Sequence, residues 1–313
     1  MKELSVTIVL FVLCQCANAQ LSANEYSSKG NAELKAGQYS EAIQSYTEAI
    51  ELGPDDPVAF YNRGICYALL KDHQSANRDF TKAIELKSDD ASAFYNRGIS
   101  YAELKDNQSA IRDYTKAIEL GPDDPVAFFS RGISYAELKD DQSAIRDFTK
   151  SIELKSDNAG AFYNRGISYA RLKDNQSAIR DYTDAIELFE HPDLRGAFAG
   201  LVLPKLGYCY LEEGILDLAE QSFSRCLLWD STSWNASLGL ALLYFQKSDM
   251  PNARKYLAMA SAVEPRLKDG MTGIEKLESE GWSFSESGKQ SLRQLFEATN
   301  NIDIDNATAR PRK

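Results

Sequence analysis

The side chains able to do chemistry are few and scattered. The two histidines, His73 and His191, both fall near expected loops, far apart in sequence, and read as surface residues. No Cys/His spacing suits a metal ion, no Gly-rich loop suits a phosphate, and no nucleophile stands in a pattern with a base. Aspartates are frequent, but most sit just ahead of helical stretches, where a carboxylate caps free backbone N–H groups. The expectation is a non-enzymatic protein with no cofactor and no metal. Of five cysteines, Cys14 and Cys16 lie in the first twenty residues, leaving Cys66, Cys209 and Cys226. An odd number gives no complete disulfide framework, so buried thiols are expected. A Cys209–Cys226 bridge stays open and requires Cα atoms within about 7 Å. Asn107, Asn175, Asn235 and Asn306 each begin an Asn-x-Ser/Thr glycosylation pattern.

The 313 residues are 43% hydrophobic and 26% charged, which is the balance of an ordered globular chain. Net charge is −11 with no Lys/Arg cluster, a poor match to nucleic acid or an anionic membrane surface. Residues 1–19 read as a signal peptide. Lys2 supplies a positive start, Val6–Leu13 an apolar run too short to span a bilayer, and Ala17-Asn18-Ala19 a small-x-small cleavage pattern. Export, periplasmic or secreted, is therefore expected, with no membrane span left once the signal is removed. Bulky Gln15 ahead of Cys16 argues against a lipid-anchored form.

Most of the rest is variation on one unit. Phe94–Leu120 returns at Phe162–Leu188 with two changes, Glu103 to Arg171 and Lys116 to Asp184, and looser copies start at Phe60 and Phe128. The period is 34 residues, which marks a stacked-repeat protein. The frame places units at 23–56, 57–90, 91–124, 125–158 and 159–192, an insertion at Asp193–Ala199, then units at 200–233 and 234–267. Position 8 is small (Gly30, Gly64, Gly98, Gly132, Gly166, Gly207, Ala241), position 20 is alanine throughout, and position 24 is large (Tyr46, Phe80, Tyr114, Phe148, Tyr182, Phe223, Leu257). Each unit reads as two helices. Phe94, Gly98 and Tyr101 share a face of the first, and Ala110, Tyr114 and Ala117 a face of the second. Asp56 followed by Pro57 supplies an N-cap and a first-turn proline, and Asp106 is placed to cap a second helix. The alternating Gly-Pro-Asp-Asp-Pro and Lys-Ser-Asp endings point to duplication of a two-unit block.

This pattern resembles the tetratricopeptide repeat (TPR). The resemblance covers residues 23–267 and implies an all-α fold, an α-solenoid of antiparallel helix pairs whose concave face is lined by first helices. Residues 268–299, with helices expected at Met271–Trp282 and Glu286–Thr299 and Ser285 as a cap, would close the array. Residues 300–313 are polar and expected to be disordered. Two departures stand out in the four central units. Position 17, usually aromatic, is His73, Asn107, Asp141 and Asn175. Position 7, usually aliphatic, is Arg63, Arg97, Arg131 and Arg165, with Asp79, Asp113, Asp147 and Asp181 at position 23. A buried arginine needs a partner, so an Arg–Asp bridge inside each unit is expected.

The resemblance implies a protein or peptide ligand in the groove formed by first helices, making the protein a binding scaffold or adaptor. Its lining would be Tyr61, Asn62, Tyr95, Asn96, Ile99, Glu103, Phe129, Glu137, Tyr163, Asn164 and Arg171. Rings give contact area and Asn can bond a peptide backbone. Some of these residues could instead be spent on packing between first helices. The Glu103-to-Arg171 change reverses a charge on that face and would alter recognition along it. Family members that capture chaperone tails use cations to hold a carboxylate. The matching positions here carry Ser27, Asn31, Asn62, Ser92 and Asn96, so that ligand is not expected. A structural, self-associating array is the alternative reading.

Overall fold

The computed structural model describes residues 21–188, 195–279 and 285–308. Among them every regular element is helical. The signal segment, His191 and the start of the insertion lie outside the described residues. Two compact units divide at Asp140, inside the 125–158 repeat.

The first unit holds α1 (Ala23–Lys35), α2 (Tyr39–Leu52), α3 (Pro57–Leu69), α4 (His73–Leu86), α5 (Ala91–Glu103), α6 (Asn107–Leu120) and α7 (Pro125–Glu137). The helices pack as successive pairs, α1 on α2, α3 on α4 and α5 on α6. Pair closure follows from position 8. A Cβ at Gly98 would lie 2.7 Å from the Tyr114 ring, and one at Gly64 would lie 2.8 Å from the Phe80 ring, so only glycine lets these helices approach. Ala110 and Tyr114 are buried as the core this approach creates. Asp56, Asp90 and Asp124 accept from backbone N–H groups at the starts of α3, α5 and α7. Asp106 accepts from Ser109 N at the start of α6.

The turn inside each pair is set by one left-handed residue. Lys71, Lys105 and Lys139 have φ of 65°, 64° and 61°, and Gly37 occupies the same position with 76°. Lys105 N donates to Ala102 O and Asp106 N to Tyr101 O, which closes the end of α5.

The second unit holds α8 (Asp141–Leu154), α9 (Ala159–Arg171), α10 (Asn175–Leu188), α11 (Arg195–Glu212), α12 (Leu216–Trp229), α13 (Trp234–Gln246), α14 (Met250–Val263), a 3₁₀ turn (Pro265–Asp269), α15 (Met271–Ser279) and α16 (Glu286–Thr308). Pairs α9–α10, α11–α12 and α13–α14 repeat the packing of the first unit. The Phe223 ring would be struck by a Cβ at Gly207 and by one at Gly239, so it fills space against two first helices.

Three points are sharpened here. The insertion does not simply separate two repeats, because α11 begins at Arg195 and absorbs its end. Pro204 lies inside α11 and has no N–H for the Gly200 carbonyl. That carbonyl instead accepts the Cys226 thiol at 3.5 Å. Cys209 and Cys226 are accordingly free and buried, not bridged. At the C-terminus, α15 is described as far as Ser279, with Trp282 outside the described residues, and α16 continues past Thr299 to Thr308. No proline or glycine interrupts that run before Pro311, and polarity alone does not stop a helix. Leu292, Leu295 and Phe296 of α16, with Ile274 and Leu277 of α15, join the core of α13 and α14 and cover the last pair.

Candidate functional site

The site is built on the first helices, so what holds these in place comes first. In the first unit Arg63 donates Nε and Nη2 to Asp79 at 2.7 and 2.9 Å. Arg97 does the same to Asp113 at 2.7 and 2.8 Å. In the second unit Arg165 grips Asp181 at 2.8 and 2.7 Å. The expected bridges therefore form in these pairs. The bridging carboxylates keep these guanidinium groups charged despite their burial.

Each arginine also reaches back one repeat. Arg63 Nη1 donates to Thr47 Oγ1, Arg97 to Thr81, Arg131 to Thr115 and Arg165 to Thr149, all at 3.0 Å. One side chain thus ties its own second helix and the preceding one. The sequence reading missed this link, although a threonine every 34 residues was there as its signal.

On the first-helix face of the first unit, Tyr61 and Tyr95 are half-buried. Their rings lie 5.8 Å from Phe80 and 5.6 Å from Tyr114, tilted as aromatic pairs prefer. Their hydroxyls are engaged as well. Asn96 Nδ2 donates to the Tyr61 hydroxyl at 3.0 Å, and the Tyr95 hydroxyl shares a hydrogen bond with Ser130 at 3.2 Å. Asn62 donates to Asn31 at 3.0 Å, and the Tyr46 hydroxyl donates to the same Asn31 oxygen at 2.7 Å. Positions 5 and 6 therefore join one first helix to the next, and burial raises the Tyr61 hydroxyl above its ordinary range. Ile99 and Phe129 are half-buried, while Glu103 and Glu137 are exposed.

The large apolar residues exposed on these helices are others. Val58 is 57% exposed, Leu69 49%, Val126 50% and Ile133 37%. They stand at positions 2, 13, 2 and 9 of their repeats.

In the second unit Tyr163 packs 6.2 Å from Tyr182 and 6.0 Å from Phe198, and burial pushes its hydroxyl up to about 12. Asn164 donates to Gly160 O at 2.8 Å. Arg171 donates to the buried Asp141 at 3.4 Å. Asn175 donates to Glu212 and Glu213, both at 3.2 Å. The polar residues at position 17 thus meet position 13 of the next first helix. The Glu103-to-Arg171 change is answered by Asp141, so part of its role is structural. Among the described residues no His/Cys/Asp/Glu group could hold a metal ion. No described helix is long and apolar enough to cross a membrane.

Comparison with known proteins agrees with this architecture. Tetratricopeptide-repeat family models match residues 30–71, 58–90, 91–124 and 159–191. The chain is a tetratricopeptide-repeat protein, all-α and built of stacked helix pairs. Over 54 residues, 17% of this chain, it is 43% identical to Hsp70-Hsp90 organizing protein 3 of Arabidopsis thaliana, covering 10% of that protein. It is 39% identical over 54 residues to small glutamine-rich tetratricopeptide repeat-containing protein 2 of Mycosarcoma maydis, covering 15% of it. The chain thus spans only a small part of these curated relatives. Among solved structures, YrrB, described as a TPR protein with an unusual peptide-binding site, is 25% identical with a TM-score of 0.51, over 56% of this chain and 90% of YrrB. The C-terminal part of a TPR protein from Cytophaga hutchinsonii superposes with a TM-score of 0.64 at 16% identity, over 79% and 98% of the two chains, and shares the fold.

Proposed function

We propose that the protein is a non-catalytic adaptor that binds a protein or peptide on the first-helix face of its repeats. The observation carrying this is the exposure of four apolar side chains on first helices of the first unit, Val58 and Leu69 on α3 and Val126 and Ile133 on α7, at 57%, 49%, 50% and 37%. Apolar side chains so exposed, on helices that also carry half-buried rings and the exposed Glu103 and Glu137, suit an extended or helical peptide better than bulk water. The peptide-binding site named for YrrB supports the same reading. Chaperone tails are not the ligand proposed. Asn31 and Asn62 are bonded to each other, and Ser27, Ser92 and Asn96 supply no cation for a carboxylate. The adaptor acts after export, as a chain beginning at Gln20, on the strength of the Lys2, Val6–Leu13 and Ala17-Asn18-Ala19 pattern.

Two measurements test these readings. Affinity capture with the chain from Gln20 onward should recover the same partner repeatedly, and Val126→Glu with Ile133→Glu should abolish that recovery while helical circular dichroism is unchanged. Equal recovery by the double variant defeats the groove assignment. N-terminal sequencing of the expressed protein should begin at Gln20, and a product that keeps Met1 inside the cell defeats export.

A further inference from the structure

The turn inside each central pair of the first unit is strained. Lys71, Lys105 and Lys139 hold its left-handed position, with φ of 65°, 64° and 61°, where Gly37 stands in the first pair. Glycine takes that conformation freely and a residue with a Cβ does not. Each lysine is exposed, and among the described residues none makes an ion pair or a side-chain hydrogen bond. Strain that nothing inside the fold uses points to a use outside it. The residue before each lysine agrees. Leu70, Leu104 and Leu138 are 47%, 43% and 45% exposed. One edge of the first unit therefore presents an apolar side chain beside a cation three times, at a fixed spacing of 34 residues.

The opposite edge carries the complement. A first helix of 13 residues is about 20 Å long, so turns inside pairs and turns between pairs lie at opposite ends of the helices. The turns between pairs hold Asp55, Asp89 and Asp123, again one per repeat. All three are exposed, and among the described residues none makes an ion pair or a side-chain hydrogen bond. The carboxylates spent on helix caps are their neighbours Asp56, Asp90 and Asp124. Leu52 and Leu120, three residues before Asp55 and Asp123, are exposed as well. Both ladders are built on the same helices, so they share one spacing. An unrelated acidic partner would match that spacing only by chance, whereas a second copy of this chain matches it at every repeat.

We propose that the Leu–Lys edge of one copy docks on the Leu–Asp edge of a second copy, repeat against repeat, through the first unit. Ion pairs between the lysines of one chain and Asp55, Asp89 and Asp123 of the other set the register, and the leucines beside them supply apolar contact. The contact joins two different surfaces. Each copy in a pair therefore keeps one edge open, and association runs on instead of closing at two chains. Val126 and Ile133, on which the groove reading rests, take no part, so the two readings stand or fall separately.

Multi-angle light scattering on the chain from Gln20 onward, over rising concentration, tests this. The mean mass should grow past two chains. Lys71→Glu, Lys105→Glu and Lys139→Glu together should raise the concentration needed for association about tenfold or more. Asp55→Lys, Asp89→Lys and Asp123→Lys together should do the same, although they bring the net charge of −11 closer to zero and so relieve overall repulsion. Mixing the two triple variants should restore association, because each then offers the edge the other lacks. Every changed side chain is exposed, so helical circular dichroism should not move. Lys71→Gly, Lys105→Gly and Lys139→Gly together should raise the melting temperature by relieving the left-handed turns, yet weaken association. A mass of one chain at every concentration, or a plateau at two, overturns the proposal. So does association indifferent to any of the three triple variants, or a mixture that associates no better than its parts. Val126→Glu with Ile133→Glu should leave association unchanged. Association lost with that pair assigns the contact to the groove and overturns the edges.

Discussion

Arg97 grips Asp113 with two parallel hydrogen bonds of 2.7 and 2.8 Å, and its side chain and that of Asp113 are only 16% and 9% exposed. Little water screens this pair, and its third donor holds Thr81 of the preceding repeat at 3.0 Å. Removing the charge from one member strands the other. Asp113→Asn should therefore cost about 1–3 kcal/mol, and Arg97→Met combined with Asp113→Leu should cost less than either change alone. Urea unfolding of wild type, Asp113→Asn, the two other single variants and the double variant measures this. Equal midpoints for wild type and Asp113→Asn would show that the pair contributes nothing.

Glycine at position 8 should not be replaceable, whereas a helical glycine with open space around it should be. A Cβ at Gly98 meets the Tyr114 ring at 2.7 Å, a ring that is buried and has nowhere to move. Gly98→Ala should destabilise by about 1–3 kcal/mol through overpacking. At Gly200 in α11 nothing lies within 4 Å of an added Cβ. Gly200→Ala should stabilise by about 0.5–1 kcal/mol through helix propensity. Thermal melts of the two variants should move in opposite directions, and a common direction would refute the packing argument.

The same two glycines mark what the sequence made legible. Gly98 and Tyr114 recur at a fixed spacing, so period alone named their contact, and Arg97 with Asp113 followed from a buried charge needing a partner. The faces of Tyr61 and Tyr95 could not be read that way. A ring at position 5 looks alike in sequence whether its hydroxyl faces a ligand or, as here, Asn96 or Ser130 of the next repeat. The end of α16 was not legible either: polar residues alone do not stop a helix, and no proline or glycine follows Thr299 before Pro311.

Stability should fall at both ends of the pH scale, for different groups. Burial, as the main cause, pushes Tyr46 up to about 12, Cys66 to about 11 and Cys209 to about 12. Unfolded phenols and thiols ionise near their ordinary values of 10.0 and 9.0. The stability these groups contribute is full below those values and is lost as pH rises through the folded ones. Hydrogen bonds from Ser75 and Ser109 hold the capping carboxyls of Asp72 and Asp106 below their ordinary 3.8, so their contribution is present above that value and is lost as pH falls. The melting temperature followed by circular dichroism should be level between about pH 5 and 8 and should drop between about pH 9 and 12. A melting temperature unchanged at pH 12 would mean that these side chains are not buried.

Arg171 and Asp141 offer the sharpest test of how neighbouring repeats are matched. Arg171 stands where three other repeats carry Glu103, Glu137 and Glu212, and it meets a buried aspartate at 3.4 Å. By the same spacing, Glu103 stands opposite His73 and Glu137 opposite Asn107 in sequence register. Position 13 therefore changes charge only where position 17 of the preceding repeat changes with it. Because Arg171 is 42% exposed, the pair is partly screened and should be worth about 1 kcal/mol or less. Asp141→Arg and Arg171→Glu should each lower the urea midpoint, since like charges then face each other. The double exchange should recover most of the loss, which additive independent effects would not do. Single variants as stable as wild type, or a double variant as weak as the two losses combined, would leave the Arg171 substitution free to serve recognition alone.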